Sequence, residues 1–270
     1  MKAEMKLKPG DTIFVSDAHL GGYNDDMNLK IEDALVQLVQ YATRNRLRIV
    51  ILGDLFDYWM EYRGKAPHIG NRILFWFRKH HEQNPSTTFV TGNHDNWTGP
   101  LLPASGFTVI DEYHTEQFGD KKVLMLHGDG VKDPDIKLPR PRLHRVLRNR
   151  YFLGVYQFLL PPAAGIWLTM AFSRVSRFLS GFTVTAMEEI DAWAMSMLES
   201  SDFDVILCGH HHTPRFNSTG GKTYINTGNF FEAFSLAVYT NGEFQLVRWS
   251  DKGMPRPLSK KERDESRRRI

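Results

Sequence analysis

The sequence predicts an α/β protein, on three observations. Dense apolar runs of strand length alternate with stretches of helical period. Five of those runs stop abruptly, and a polar cluster of Asp, Asn or His follows each one at once. The composition, 41% hydrophobic and 24% charged, is that of an ordinary packed globular chain. In open α/β sheets, ligand sites collect at the carboxyl ends of strands, where this chain repeatedly puts its polar residues.

Thr12 to Ser16 is an apolar run ending at Asp17 and reads as the first strand. Leu29 to Tyr41 carries Ile31, Leu35, Leu38 and Val39 on one face, which predicts a helix. Leu47 to Leu52 runs unbroken into Gly53-Asp54, the pattern of a buried strand. A helix is expected over Asn71 to His81, and strands over Thr87 to Val90 and Val123 to Leu126. A further helix covers Val184 to Leu198, and Asp204 to Leu207 is a strand leading to Gly209-His210. Thr223 to Trp249 reads as strands broken at Thr227-Gly228-Asn229 and at Asn241-Gly242, the second a hairpin signal. Internal repeats are absent. Ser259 to Ile270 is charge-rich without an apolar face, and a basic tail over 251–270 is expected to be disordered.

With 270 residues the chain can bury a core without staples, and its single cysteine, Cys208, has no internal partner. That fits a reducing, cytoplasmic setting. Met1 to Gly10 has lysines but no apolar h-region, so no signal peptide is expected. The net charge is only +3, but it is unevenly spread. Ile136 to Met187 has no Asp or Glu, while Lys137, Arg140, Arg142, Arg145, Arg148, Arg150, Arg174 and Arg177 fall inside it. A local field of one sign favours anionic partners.

The five clusters are Asp17-Ala18-His19, Gly53-Asp54-Leu55-Phe56-Asp57, Gly92-Asn93-His94-Asp95, His127-Gly128-Asp129 and Gly209-His210-His211-His212. Their carboxylate, amide and imidazole donors suit borderline-hard divalent metals, and the lack of thiolate excludes a structural zinc finger. Glycines beside these residues let the backbone approach a metal closely. In an extended segment, residues i and i+2 point the same way, so Asp17 and His19 should share a side, as should His210 and His212, with His211 pointing elsewhere. Two cations about 3.5–4 Å apart need a shared carboxylate, and Asp54 is the natural bridge. Taken singly, an Asp-x-His or a Gly-Asp after a strand is more often a turn. Five such clusters in one chain carry the metal reading jointly. Nothing in the sequence offers a covalent nucleophile: there is no Gly-x-Ser-x-Gly elbow, no P-loop, and Cys208 lies inside a strand.

The ordered set from Asp17 to His212 resembles the signature of the calcineurin-like metallophosphoesterases. The resemblance implies a four-layer αββα sandwich with a helical cap insertion and the metals at one edge. It implies two divalent ions, manganese first, with iron, cobalt or zinc as alternatives. Asp17, His19 and His212 would hold the first; Asn93, His127 and His210 the second; Asp54 would bridge. His94 would sit near the leaving group, with Asp95 orienting it. Asp57, Asp129 and His211 receive no metal role. The catalytic domain would comprise 1–135 and 181–250, interrupted by a basic, apolar insertion over 136–180.

That insertion is the informative departure. Pro139-Arg140-Pro141-Arg142 opens it, and Tyr151 to Phe172 follows, twenty-two residues without a charge. Pro161-Pro162 splits this stretch into runs too short to cross a bilayer. It reads as a helical pair packed on the sandwich, as a cap that receives acyl chains and touches anionic membrane, or as a transmembrane hairpin. Together with Gly53-Asp54-Leu55-Phe56-Asp57-Tyr58-Trp59, it is similar to the UDP-2,3-diacylglucosamine diphosphatase group of lipid A synthesis. The resemblance implies a lipid-linked nucleotide cut to UMP and an acylated glucosamine 1-phosphate, at a peripheral position on the inner membrane. The best-known branch of that group has Arg where this chain has His94. Another phosphodiesterase or phosphatase activity, and a metal-dependent scaffold, are the alternatives. Nucleic acid is not expected, because the insert interleaves its charge with a long apolar run.

Overall fold

The computed structural model describes residues 4–62, 67, 69–179, 184–259 and 262, with side chains at all of these except 172, 174–179 and 184–186. The side chains of Arg174 and Arg177, and residues 260, 261 and 263–270 of the expected disordered tail, therefore lie outside the described residues.

The first strands are β1 (Thr12–Val15), β2 (Arg48–Leu52), β3 (Thr87–Val90), β4 (Phe107–Ile110), β5 (Tyr113–Phe118) and β6 (Lys121–Leu126). They are followed by β7 (Val205–Cys208), β8 (Arg215–Thr219), β9 (Lys222–Asn226), β10 (Ser235–Thr240), β11 (Glu243–Trp249) and β12 (Pro255–Pro257). The helices are α1 (Asp25–Asn45), α2 (Asn71–His81), α3 (Leu101–Ala104), α4 (Arg142–Leu147), α5 (Arg150–Leu159), α6 (Pro162–Leu179) and α7 (Val184–Ser200). One sheet has the order β12-β11-β10-β1-β2-β3-β4 and the other β5-β6-β7-β9-β8. β1 to β4 run parallel, as do β6, β7 and β9.

Side-chain alternation along the strands divides the core into three layers. Ile13, Val15, Ile49 and Ile51 pack against Ile31, Leu35 and Leu38 of α1 and Phe77 of α2. Phe14, Val50 and Leu52 turn the other way, onto Val123, Met125, Val205 and Leu207 of the second sheet. Leu124, Leu126, Ile206 and Cys208 then face Ile190, Ala194 and Leu198 of α7. The order is helix, sheet, sheet, helix, the expected four-layer sandwich. Strands buried on both faces explain why their sequences read as unbroken apolar runs. Each fully buried Ile or Leu contributes about 1.5–3 kcal/mol, so a one-residue register slip is strongly disfavoured.

Two boundaries differ from expectation. α1 begins at Asp25, ahead of its apolar stripe, because Asn24 caps it by accepting from the Met27 amide at 2.9 Å and two acidic residues occupy the first turn. Pro255–Pro257, inside the stretch expected to be disordered, pairs with β11 as an edge strand, where proline is tolerated. The Pro161-Pro162 break falls as expected, between α5 and α6.

Candidate metal centre

The parallel strands end at one rim, and the five polar clusters meet there. The β1 loop is tied to the β2 loop by the amides of Asp17, Ala18 and His19, which donate to Gly53 and Asp54 carbonyls at 2.9–3.1 Å. The loops are not extended, contrary to the i, i+2 argument. Asp17, His19, Asp54, His210 and His212 all adopt left-handed backbone, with φ of 50, 45, 53, 72 and 55°. Side chains rarely occupy that region, at a cost of about 1–3 kcal/mol each, and surrounding structure has to impose it. Asp17 and His19 do share a side. His210 and His212 do not end in the same group: His212 joins Asp17 and His19, while His210 joins Asp54 and His127.

The glycines leave room for this convergence. A Cβ on Gly92 would lie 2.0 Å from Asp54 Oδ1, and one on Gly209 would lie 2.3 Å from Asp17 Oδ2. His212 Nε2 lies 3.3 Å from Asp17 Oδ1 and 3.1 Å from His19 Nε2. Across the cleft, His127 Nε2 lies 3.2 Å from each of Asp54 Oδ2, Asn93 Oδ1 and His210 Nδ1. Asp54 stands between, with Oδ2 also 3.8 Å from His19 Nε2. His127 Nδ1 donates to the Leu52 carbonyl at 2.8 Å, which fixes the ring orientation and aims Nε2 inward.

These groups fit divalent cations. Asp17 Oδ1 is buried without a hydrogen-bond partner. Imidazole nitrogens face one another across the cleft, an arrangement that calls for a proton or a cation between them. The charges say the same. Burial disfavours protonated His127, yet the carboxylate of Asp54 outweighs it and pushes the ring up to about 10. Burial, then the neighbouring imidazoles, hold His210 well below its ordinary value, and burial holds His19 down as well, so both offer lone pairs. Burial would raise Asp17, but the neighbouring imidazole of His212 holds it low.

His94 lies beside Asp54 and His19, its amide donating to Asp54 Oδ1 at 2.9 Å. Asp95 does not orient it. The Asp95 carboxylate accepts from the amides of Gly92 and Leu55, both at 2.8 Å, and so braces two loops. Three residues from Asp54, Asp57 is better placed: its carbonyl takes the His94 Nδ1 proton at 2.8 Å, and its Oδ1 faces His19 Nδ1 at 3.5 Å. Asp57 was expected to take no metal role, and its buried carboxylate accepts from Ser173 Oγ at 2.9 Å. His211 stacks on His210, ring centroids 5.1 Å apart, and burial pushes it down to about 4.

The insert contributes residues that the motifs did not announce. Arg148 and Arg140 are buried and close on Asp129 and Glu112, so two of the eight basic residues spend their charge internally. Ser173 of α6 reaches His94 and Asp57. His144 of α4 lies 3.8 Å from Asp129. His144 had a signal, being the one histidine between His127 and His210; Ser173 had none. A pocket of about 270 Å³ separates α4–α6 from the rim. Trp59, Trp97, Phe152, Tyr156 and Leu168 form its apolar wall, and Asn93, His94, His144 and Ser173 its polar end. On the outer side, Tyr151 (87% exposed), Phe158 (82%) and Trp167 (69%) face solvent. Among the described residues, no helix is long and apolar enough to cross a membrane.

Known proteins are similar to this chain in sequence. Residues 11–214 match the family model described as calcineurin-like phosphoesterase. The UDP-2,3-diacylglucosamine hydrolase of Vibrio parahaemolyticus is 24% identical over 256 residues, spanning 87% of this chain and 96% of that protein. The protein of the same name from Porphyromonas gingivalis is 30% identical over 137 residues, 50% of this chain and 52% of its own. Among solved structures, Yfce, a phosphoesterase from E. coli, is 13% identical, with a TM-score of 0.44 over 90% of this chain and 96% of that one. The chain belongs to the calcineurin-like phosphoesterase family and is a metal-dependent phosphoester hydrolase.

Proposed function

We propose that the chain hydrolyses the pyrophosphate of UDP-2,3-diacylglucosamine, yielding UMP and an acylated glucosamine 1-phosphate. The observation that carries this reading is the apolar pocket under α4–α6, whose polar end is formed by His94 and Asn93. A polar phosphate at the rim and an acyl chain along Trp97, Phe152 and Leu168 match that division. The curated relatives of that name, similar along most of this chain, support it.

In this reading Asp17, His19 and His212 hold one divalent ion, Asn93, His127 and His210 the second, and Asp54 touches both. Bound there, divalent ions would supply Lewis acidity, offsetting phosphate charge and lowering the pKa of water. His19 is kept in register by Asp57, and His127 by the Leu52 carbonyl. His94 Nδ1–H donates a hydrogen bond to the Asp57 carbonyl, so its Nε2 can donate only when the ring is cationic. A cationic His94 stabilises charge on the phosphoryl oxygens or protonates the leaving group. Residues 136–180 act as a cap on a catalytic unit formed by 1–135 and 181–250. The exposed aromatic residues of the cap touch the surface of the inner membrane from the cytoplasmic side, where its lipid substrate resides.

A different lipid pyrophosphate or nucleotide diester is the second reading, favoured by His94 at a position where the resemblance leads one to expect Arg. Incubation with UDP-2,3-diacylglucosamine and manganese, followed by product analysis, separates the two. UMP with acylated glucosamine 1-phosphate is expected; turnover of bis-p-nitrophenyl phosphate without lipid cleavage would favour the second.

A further inference from the structure

We infer that Ser173 is a positioning residue through which the seating of helix α6 sets the orientation of His94. The inference rests on the role proposed above for His94. Ser173 is only 4% exposed and enters the rim from α6, whereas His94 and Asp57 come from loops of the sandwich. Its hydroxyl oxygen lies 2.9 Å from Asp57 Oδ2, 3.1 Å from the Asp57 carbonyl and 3.1 Å from His94 Nδ1.

Proton assignment gives the arrangement a direction. A carbonyl only accepts, so His94 Nδ1, 2.8 Å from the Asp57 carbonyl, carries a proton. Ser173 has one proton to give, and the carboxylate oxygen is its nearest and strongest acceptor. Its lone pairs therefore face His94 Nδ1–H. Asp57 Oδ1 is 4.0 Å from that nitrogen, too far for a direct bond. Ser173 fills the gap and links the carboxylate to the imidazole. The other oxygen of the same carboxylate faces His19 at 3.5 Å. One carboxylate thus braces a metal-site imidazole directly and His94 through a hydroxyl that the cap supplies. Displacing α6 removes the hydroxyl, and His94 is left with the backbone carbonyl alone to hold its ring.

The test uses the full-length, manganese-loaded protein and bis-p-nitrophenyl phosphate, a substrate with no acyl chain for the pocket. Ser173→Ala keeps the helix, because alanine is a strong helix former. Its kcat should fall about tenfold or more, as loss of an outer orienting group commonly causes, with KM and bound metal little changed. Ser173→Thr should recover most of the rate. In a His94→Ala background the same change should cost less than about twofold, because its partner is already gone. A tenfold loss in both backgrounds, or none in either, would overturn the inference. If the loss appears only with the lipid substrate, Ser173 lines the pocket and does not position His94, which also overturns it. Should His94→Ala alone leave the rate unchanged, the His94 assignment fails and takes this inference with it. A slow His94→Ala beside a normal Ser173→Ala removes only the inference.

Discussion

The rim loops and the insert helices line the same pocket, but they are held in place differently. At the rim, five residues sit in left-handed backbone, glycines clear space for side chains, and each buried carboxylate meets an amide or an imidazole. Geometry is over-determined there, as cation binding requires. The insert has no such web. Helices α4 and α5 bury no residue fully, and among the described residues most of the exposed large hydrophobic side chains belong to this segment. Among the described residues its ties to the sandwich are largely polar: Arg140 to Glu112 and the Gly130 carbonyl, Arg148 to Asp129, Thr91 and the Asp111 carbonyl, the Trp97 indole to the Leu147 carbonyl at 2.5 Å, Gln157 to the Glu61 carbonyl at 2.8 Å, Tyr62 to the Leu160 carbonyl, and Ser173 to Asp57. A braced rim suits chemistry, whereas the insert is held by polar ties and leaves apolar side chains exposed.

The contrast can be broken at several points. Asp54→Ala should abolish turnover and lower bound metal; metal analysis with normal occupancy would remove Asp54 from the bridge. Arg148→Ala leaves Asp129 buried beside a weaker pairing with Arg140, at a cost of about 3 kcal/mol. An unfolding free energy lowered by less than about 1 kcal/mol in denaturant titration would show that the insert is not anchored there. It follows that deleting Leu143 to Phe172, a cut that would remove only the cap if the segment were independent, also strips Arg148 from the core. His94→Ala should keep its metals and lose roughly 10²-fold in rate.

A fourth prediction concerns protons. His127 holds one up to about 10 in the metal-free cleft, and a ligand ring must lose it. Manganese binding at pH 8 should release close to one proton, and affinity should rise with pH up to about 10. Calorimetry in buffers of different ionisation enthalpy reads this directly, and no release would place the cation away from His127. The smallest effect is expected on the outer face of the cap. Phe158→Ser should change stability by less than about 0.5 kcal/mol and leave chromogenic diesters untouched, while vesicle association weakens. A large loss of stability would mean that this face is packed.

The same contrast explains what the sequence could tell. Buried strands and glycine-flanked polar clusters leave strong local marks, so the α/β class and the five clusters were legible in the sequence, while the sandwich and the assignment of Asp17, His19, Asp54, Asn93, His127, His210 and His212 as ligands came from the resemblance to the family. Partnerships that cross between elements were not. Asp95 looked like the orienting group because it adjoins His94, but adjacency in a tight turn sends its carboxylate back to the amides of Gly92 and Leu55. The group that does the orienting, Asp57, comes from another loop, and Ser173 comes from a helix 79 residues further along. Likewise the acid-free stretch suggested an open positive field, and only the fold showed Arg140 and Arg148 turned inward onto acids from elsewhere. Local periodicity also missed β12, whose prolines argue against a strand until its place at the edge is known.

The central claim is that seven side chains from five loops cage a pair of cations. Anomalous diffraction from manganese-soaked crystals tests it most directly. Two peaks are predicted, one among Asp17, His19 and His212 and one among Asn93, His127 and His210, with Asp54 touching both. Manganese bound elsewhere, or no peak between these groups, would contradict it.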